Sequence, residues 1–295
     1  MDKRLIFLLP FISGIFWGSG GVFVRLLNSY GLNSQSILFS RLSLAVLILF
    51  IILMAYDKNL LKIKLKDIWL FIGSGILGVM LLNLSYNEAA FKVTLSLASV
   101  LLSLAPIFAM FLSYILFNEK ITKNKILSLI LAIIGCVFVS GVLESTINWS
   151  ISGILFGLLS AFFWALYGVF SKIASKKGYS VFTIIFYSFL CCTIVLIPFF
   201  DTGAFTNFIM SNPFNNVPFA IIHTLFASIL PYLLFTISLK YVDNGKATIL
   251  CSAAEPSSAS ILGLIFFTEN LTILNIIGIA LTVIALSIIV NEEKK

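Results

Sequence analysis

Residues 16–25 read FWGSGGVFVR, and residues 163–172 read FWALYGVFSK. The two stretches lie 147 positions apart and share Phe, Trp, Gly, Val and Phe at corresponding places. Two further pairs keep almost the same distance, at an offset of 150: Pro106 with Pro256, and Glu119 with Glu269. These matches predict that the chain is one duplicated unit, with a first repeat at 1–143 and a second repeat at 150–295.

The composition places both repeats in a membrane. Of 295 residues, 60% are hydrophobic and only 11% are charged. A soluble domain cannot bury so large an apolar fraction, so we expect the lipid bilayer to contact most of the surface. The net charge of +7 does not indicate a nucleic-acid partner. The basic residues lie in short segments between apolar runs, a pattern that reflects membrane topology.

The apolar runs are long enough to cross a bilayer as helices, which takes about 20 residues each. The first run follows Arg4 and is too long for a signal peptide, so we assign it as the first span. The fold class predicted is therefore an all-α integral membrane protein with ten transmembrane helices. The predicted spans 1 to 10 are 5–27, 34–56, 67–89, 94–117, 124–143, 150–172, 180–200, 217–240, 245–267 and 272–291.

The positive charges orient these spans. With the N-terminus in the cytoplasm, Arg25 and Lys92 fall in external segments, Arg41 falls inside span 2, and the other 16 of the 19 Lys and Arg residues are cytoplasmic. This bias predicts a multi-pass protein of the cytoplasmic (inner) cell membrane with cytoplasmic N- and C-termini. Because each repeat holds an odd number of spans, the two five-helix repeats are inverted, with a substrate site expected near the midplane.

Several different short motifs follow one another in a characteristic order along the chain. They are Phe16-Trp17-Gly18 in span 1, Arg41 in span 2, Tyr86-Asn87-Glu88 in span 3, Asn118-Glu119-Lys120 after span 4 and Ala254-Glu255-Pro256 in span 9. Together they resemble the drug/metabolite transporter superfamily, specifically its ten-span EamA group, over nearly the whole chain. The resemblance implies a transporter in which each half gives four helices to a central cavity, with spans 5 and 10 peripheral. It implies no particular substrate.

Enzyme chemistry is not indicated. The chain has one histidine, His223, with no carboxylate placed to complete a triad, and it has no Walker lysine motif for ATP hydrolysis. Its four cysteines lie in apolar runs without ligand-like spacing, so no metal or other cofactor is expected. Transport would then run on a gradient, with a proton or another ion as the candidate for coupling.

Ionisable residues inside spans are the first candidates for substrate binding, because an unpaired charge in lipid is costly. Arg41 would bind a substrate carboxylate through two hydrogen bonds, or it would pair with Glu88 as a structural lock. Glu255 would bind a cation or carry a proton, or it would be a structural carboxyl bonded to neighbouring helix ends. His223 would titrate near neutral pH, or it would be a packed neutral ring bonded to a backbone carbonyl.

Aromatic and amide side chains are the second group of candidates. Trp17 and Trp164 are symmetry mates about halfway along spans 1 and 6, which argues against a position in the interfacial belt. Packing is the alternative to cavity lining for each aromatic residue. The residues expected to line the cavity are Trp17, Asn83, Tyr86, Ser103, Trp164 and Tyr167.

These residues predict a secondary-active transporter of small metabolites, with amino acids or related compounds as the expected substrates. The alternative is a multidrug or cation exporter of the same fold, anchored by Glu255. A membrane enzyme or a non-transporting scaffold is the remaining hypothesis. Arg41 is matched by Ser188 in the other repeat, and Glu255 by Ala105, so we expect these two unpaired charges to govern substrate choice. A monomer suffices for such a duplicated chain, and a homodimer remains open.

Overall fold

The computed structural model describes residues 3–93, 95–140, 142–143, 150–267 and 272–292. Glu269 and the side chain of Arg25 lie outside this description. The described residues form helices and no strand. The helices are α1 Lys3–Ser29, α2 Ser34–Tyr56, α3 Leu65–Lys92, α4 Leu97–Phe117, α5 Lys123–Val139, α6 Ile151–Lys176, α7 Val181–Phe199, α8 Thr202–Ser211, α9 Pro213–Ser238, α10 Asn244–Phe267 and α11 Ile273–Glu292.

Eight of these helices are long and apolar enough to cross a membrane, namely α1, α2, α3, α4, α6, α7, α9 and α11. The other two predicted spans are helical but fall short in different ways. Helix α5 has 17 residues, about 26 Å at 1.5 Å per residue, against a hydrocarbon core of about 30 Å. Helix α10 carries Lys246 and Glu255 among many small polar residues. Ten crossings therefore stay a prediction.

The two halves of the chain contact each other in a reciprocal pattern. Helix α1 packs on α9 and α10, while its counterpart α6 packs on α3 and α4. Three other pairs join counterparts directly: α2 with α7, α4 with α10 and α5 with α11. Exchanging the halves also relates the contact of α2 with α9 to that of α3 with α7, so most contacts between the halves have a counterpart; the contact of α5 with α10 has none of similar extent between α4 and α11.

The contact between α1 and α10 is a parallel helix pair built on glycines. Gly14 lies against the Cys251 carbonyl, and one turn later Gly18 lies against Ser258. A Cβ at Gly18 would come within 1.9 Å of the Ser258 Oγ and 2.5 Å of the Glu255 carbonyl oxygen. Only the absence of side chains lets the two backbones approach this closely, as is common between helices in membranes.

Gly18→Ala is therefore expected to destabilise the fold by about 1–3 kcal/mol, because the inserted methyl group overpacks a backbone contact. Gly20→Ala on the same helix is the matched control, since a Cβ there meets no atom within 4 Å. That change should be neutral or stabilising by up to about 1 kcal/mol, the helix-propensity gain of alanine over glycine. Unfolding in detergent measures both, and equal stabilities would contradict the close packing of α1 on α10.

The pair of α5 and α11 runs in the opposite sense. Gly135 lies against Thr282, whereas Val139, one turn further along α5, accepts a 2.9 Å hydrogen bond from Asn275 at the start of α11. The partner number falls as the α5 number rises, so these two helices are antiparallel. Parallel packing of α1 with α10 and antiparallel packing of α5 with α11 are the directions that inverted repeats require.

The stretch 201–216, which lies between predicted spans 7 and 8, is not an irregular loop but forms helix α8 and the start of α9. Asp201 caps helix α8 by accepting a hydrogen bond from the backbone N–H of Ala204 at 2.9 Å. Pro213 then opens α9 at a position where its missing N–H costs nothing. Helix α8 buries Phe208 against Leu27 at the end of α1. Asp201 and Pro213, which are residue types common in turns, therefore begin helices here.

The loops with most of the basic residues gather at one end of the bundle, which we call the basic end. Here Tyr179 donates a 2.8 Å hydrogen bond to Asp67, which also pairs with Lys177. Partial desolvation raises the pKa of the Tyr179 hydroxyl above its ordinary value, so it remains a donor. The basic end comprises the start of α1 and the connections 57–64, 118–122, 177–180 and 239–243.

Candidate functional site

A cavity of about 520 Å³ extends from the middle of the bundle towards the end opposite the basic end. Its volume lies within the roughly 300–1,000 Å³ of small-molecule sites. At its mouth Ser34 and Asn87 also line a second, neighbouring depression on the surface. The wall comes from α1 to α6, α9 and α10.

Helix α5 contributes Cys136, Val139 and Ser140 to this wall, whereas α7 contributes no residue to it. The expectation of four wall helices from each half is therefore wrong in both halves: all five helices of the first half contribute, whereas the second half contributes only α6, α9 and α10. Helix α4 also differs from its counterpart α10. Its helical hydrogen bonding is interrupted just after Leu102, ahead of Pro106, whereas α10 continues through Pro256.

The two symmetry-related tryptophans meet at the bottom of the cavity. The rings of Trp17 and Trp164 lie 4.6 Å apart, edge to face, and the Tyr232 ring lies 5.0 Å from Trp17. The Trp164 Nε1–H is buried without a partner among the described residues. This aromatic floor separates the cavity from the basic end and offers ring faces and edges to a ligand.

Arg41 is held in the cavity wall by two hydrogen bonds. Its Nη2 donates to the Asn83 Oδ1 at 3.1 Å, and its Nη1 donates to the Ala227 carbonyl at 3.3 Å. The Nε–H has no partner in the described part of the chain. The structural lock with Glu88 is not formed, because Glu88 is exposed and Arg41 makes no ion pair there.

Two π-helical segments provide the backbone carbonyls that hold Arg41 and Asn83 in place. They lie in the third long helix of each half, at Gly73–Leu81 in α3 and Leu225–Ile229 in α9. Ala227 lies within the second, and the Asn83 amide donates to the Val79 carbonyl of the first at 2.8 Å. Wider π turns are common at functional sites. Here a carbonyl from each segment accepts a side-chain hydrogen bond, which fixes Arg41 and Asn83 together.

Glu255 lines the same cavity from α10. Its carboxylate accepts no hydrogen bond and makes no ion pair within the described ranges. The structural alternative, a carboxyl bonded to neighbouring helix ends, is therefore not observed. The described wall of the cavity holds one cationic side chain, Arg41, and one anionic side chain, Glu255, and neither forms an ion pair there.

The structure brings seven of the nine candidate residues around this cavity: Trp17, Arg41, Asn83, Tyr86, Ser103, Trp164 and Glu255. Their contact with substrate stays a prediction. Among them, the Ser103 hydroxyl donates back to the Val100 carbonyl at 2.7 Å.

Two candidates lie outside the cavity. Tyr167 is buried behind the floor, where its hydroxyl shares a 2.7 Å hydrogen bond with Thr236. His223 is buried, and its ring stacks 5.1 Å from that of Phe23. Its Nε2 has no partner among the described residues, and the predicted hydrogen bond from the ring to a backbone carbonyl is not seen in the described part of the chain. Neither side chain can touch a ligand in this cavity as the helices now stand.

Several wall residues were not anticipated. Tyr232 follows Pro231 in α9, and its ring completes the aromatic floor. Ser252 and Ser260 flank Glu255 on α10. Helical spacing offered a signal here, because positions 252, 256 and 260 share one face and 255 lies beside it. A polar stripe along an otherwise apolar helix would have identified the wall.

Comparisons with known proteins identify a family, transporter relatives and a shared fold. A sequence profile of the EamA-like transporter family matches this chain twice, at residues 4–141 and 151–291. An "uncharacterized transporter" of Archaeoglobus fulgidus is 31% identical over 69% of this chain and 71% of its own length. Another, from Clostridium kluyveri, is 25% identical over 100% of this chain and 95% of its own length. A solved crystal structure shares the fold, with a TM-score of 0.72 at 16% identity, covering 97% of this chain and 96% of that one.

Proposed function

Because this chain belongs to the EamA-like transporter family, and hence is a multi-pass membrane transporter, we propose that it moves amino acids or closely related small metabolites. The observation that carries this proposal is the pair of unneutralised charges in one cavity, Arg41 and Glu255. A zwitterion offers a carboxylate to the guanidinium and an ammonium group to the carboxylate. Both charges, which are half-buried in the cavity wall, then gain partners in a site less polar than water, where such pairs are strong.

The remainder of the cavity suits the side chain of such a substrate. The floor of Trp17, Trp164 and Tyr232 offers aromatic surface, and the unpartnered Trp164 Nε1–H offers a donor. Pockets of this kind combine apolar walls with a few placed polar groups that fix orientation.

We further propose ten crossings arranged as two inverted five-helix repeats, with both termini in the cytoplasm. The parallel pairing of α1 with α10, the antiparallel pairing of α5 with α11 and the reciprocal contacts between the halves support the inversion. The concentration of lysines at the basic end supports a cytoplasmic position for that end, in the inner cell membrane. Transport would proceed by alternating access, with the cavity now facing outwards.

Binding to purified protein tests the substrate class with three probes that share one side chain: phenylalanine, phenethylamine and 3-phenylpropionate. A ligand of the folded state raises the apparent unfolding temperature. We expect the zwitterion to raise it more than either the amine or the acid, because only the zwitterion pairs with both charges. Other amino acids, screened alongside, define the side-chain preference. A larger shift with the amine would contradict the proposal.

That last outcome would favour the second candidate, a cation or multidrug exporter. The specific observation behind it is Glu255, whose unpaired carboxylate faces the same cavity as the rings of Tyr86, Trp164 and Tyr232. Carboxylates and aromatic faces together bind organic cations. In such a protein Arg41 would repel the substrate, so its replacement would improve binding of the amine.

A further inference from the structure

A second group of polar residues lies beyond the aromatic floor, towards the basic end. Lys172, near the end of α6, forms a 2.6 Å ion pair with Glu119, which follows α4. The Lys172 Nζ also donates to the Val242 carbonyl at 3.3 Å. The side chains of the pair are only 11% and 8% exposed, so it joins the two halves of the chain in a nearly water-free position.

Around this ion pair several buried polar atoms lack partners among the described residues: Ser113 Oγ, Glu119 Oε2, Ser171 Oγ, and Asn244 Oδ1 and Nδ2. They are neighbours of one another. The backbone N–H of Glu119 donates to the Ser113 carbonyl at 3.2 Å, and Ser171 precedes Lys172. Asn244 lies against Gly168, where a Cβ would come within 2.1 Å of its Oδ1.

Such a concentration of unpartnered groups calls for a physical reason, because buried polar groups are nearly always hydrogen-bonded. In a membrane protein, leaving them unpaired is especially costly. A second state in which water or a passing solute reaches these atoms provides that reason.

These groups continue the line of the cavity along one face of α6. Trp164 forms part of the cavity floor, and positions 168, 171 and 172 follow it at intervals of four, seven and eight residues. These intervals lie on one side of an α-helix. Gly168, Ser171 and Lys172 therefore extend the line of Trp164 towards the basic end.

We propose that the Glu119–Lys172 ion pair is the latch of the closed inner gate, and that Ser113, Ser171 and Asn244 line the path once it opens. This inference rests on the proposed transport function and adds the second half of its route. Opening separates the end of α6 from the residues after α4, so the latch must break. Water then satisfies the ions and the unpartnered serine and asparagine groups.

Two other ion pairs cross between the halves at the basic end, Lys125 with Asp243 at 2.8 Å and Lys177 with Asp67 at 2.5 Å. Asp243 is 38% exposed and Lys177 is 41% exposed, so water already reaches both pairs. Exposed pairs contribute little to stability. They reinforce the closed arrangement, whereas the buried Glu119–Lys172 pair governs it.

Cysteine accessibility tests the latch without needing a transported substrate. Ser171→Cys is the inner reporter and Ser260→Cys, in the wall of the present cavity, is the outer one, each in a chain whose four native cysteines are alanine. A membrane-impermeant maleimide is applied to inside-out vesicles, which expose the basic end, and to right-side-out vesicles. Glu119→Gln is expected to raise Ser171→Cys labelling from the basic end by about tenfold and to lower Ser260→Cys labelling, because the population shifts towards the inward-open state.

Glu119→Lys combined with Lys172→Glu should restore the wild-type labelling of both reporters, because the swapped charges re-form the latch. Glu119→Gln combined with Lys172→Met is the second variant, which removes both charges and leaves no unpaired ion if the single change fails to fold. The proposed gate is wrong if labelling of Ser171→Cys stays at the wild-type level both in Glu119→Gln and in Glu119→Gln combined with Lys172→Met.

The two proposals fail in different ways. If labelling responds as described and no amino acid is bound or exchanged, the gate stands and the substrate class is wrong. If amino acids are exchanged and Ser171→Cys is never labelled from the basic end during turnover, the substrate class stands and the gate is wrong.

Discussion

Arg41→Gln is expected to reduce exchange of an amino acid at least about 100-fold, because it removes the positive charge that pairs with the substrate carboxylate. Losing one partner of a buried, hydrogen-bonded charge pair costs about 2–5 kcal/mol, and every 1.4 kcal/mol is tenfold in affinity. Arg41→Lys keeps the charge and loses the planar two-pronged donor, so we expect an intermediate loss. Binding of phenylalanine, phenethylamine and 3-phenylpropionate shows separately how the change affects recognition of the carboxylate and of the ammonium group.

The control for Arg41 uses the probe without a carboxylate. Phenethylamine should bind the Arg41→Gln protein as well as the wild type, or better, because the repelling guanidinium is gone. Since Arg41 also bonds to Asn83 and to the Ala227 carbonyl, unfolding without ligand reports any purely structural loss. An equal loss of affinity for the amine, the acid and the amino acid would contradict the assigned role.

The second large effect is expected at Glu255. Glu255→Gln keeps the size of the side chain and removes an anion that has no partner in the described structure, so amino-acid exchange should fall at least about 100-fold. The same change should make the empty protein more stable, because an isolated buried charge is costly. Binding of 3-phenylpropionate, which has no ammonium group, should be retained.

This combination separates a binding role from a structural one. A structural carboxyl would give lower stability together with weaker binding of all three probes. A carboxylate that awaits the ammonium group of a substrate gives higher stability of the empty protein, weaker binding of the amino acid and the amine, and unchanged binding of the acid. Unchanged amino-acid exchange in Glu255→Gln would contradict our account directly.

Periodic features of the chain could be predicted from its sequence. The length and apolarity of the runs locate the helices. Trp17 and Trp164 occupy corresponding positions in the two repeats, and this predicts that their side chains meet, because corresponding positions on two symmetry-related helices approach a common axis. Arg41 and Glu255 were identifiable because a charge inside an apolar span needs a functional or structural reason. These signals are local, or they repeat at a fixed distance.

Features that depend on packing were beyond such reasoning. The Ala227 carbonyl becomes a partner of Arg41 through a π-helical segment of another helix, and no residue type marks that segment. His223 is a titratable residue within a predicted span, as a binding residue would be, but its ring stacks on that of Phe23. Helix α4 is interrupted before Pro106, whereas α10 continues through Pro256. Each is fixed by contacts between segments distant in sequence.

Counterflow in proteoliposomes tests the central claim most directly. Vesicles containing the purified protein are loaded with the unlabelled amino acid that stabilises it most, and uptake of the labelled form is followed against protein-free vesicles. We predict transient accumulation in the wild type that is lost in both Arg41→Gln and Glu255→Gln and retained in Lys58→Gln, a change on an exposed loop. Accumulation of no amino acid above protein-free vesicles, with exchange of phenethylamine instead, would contradict the account.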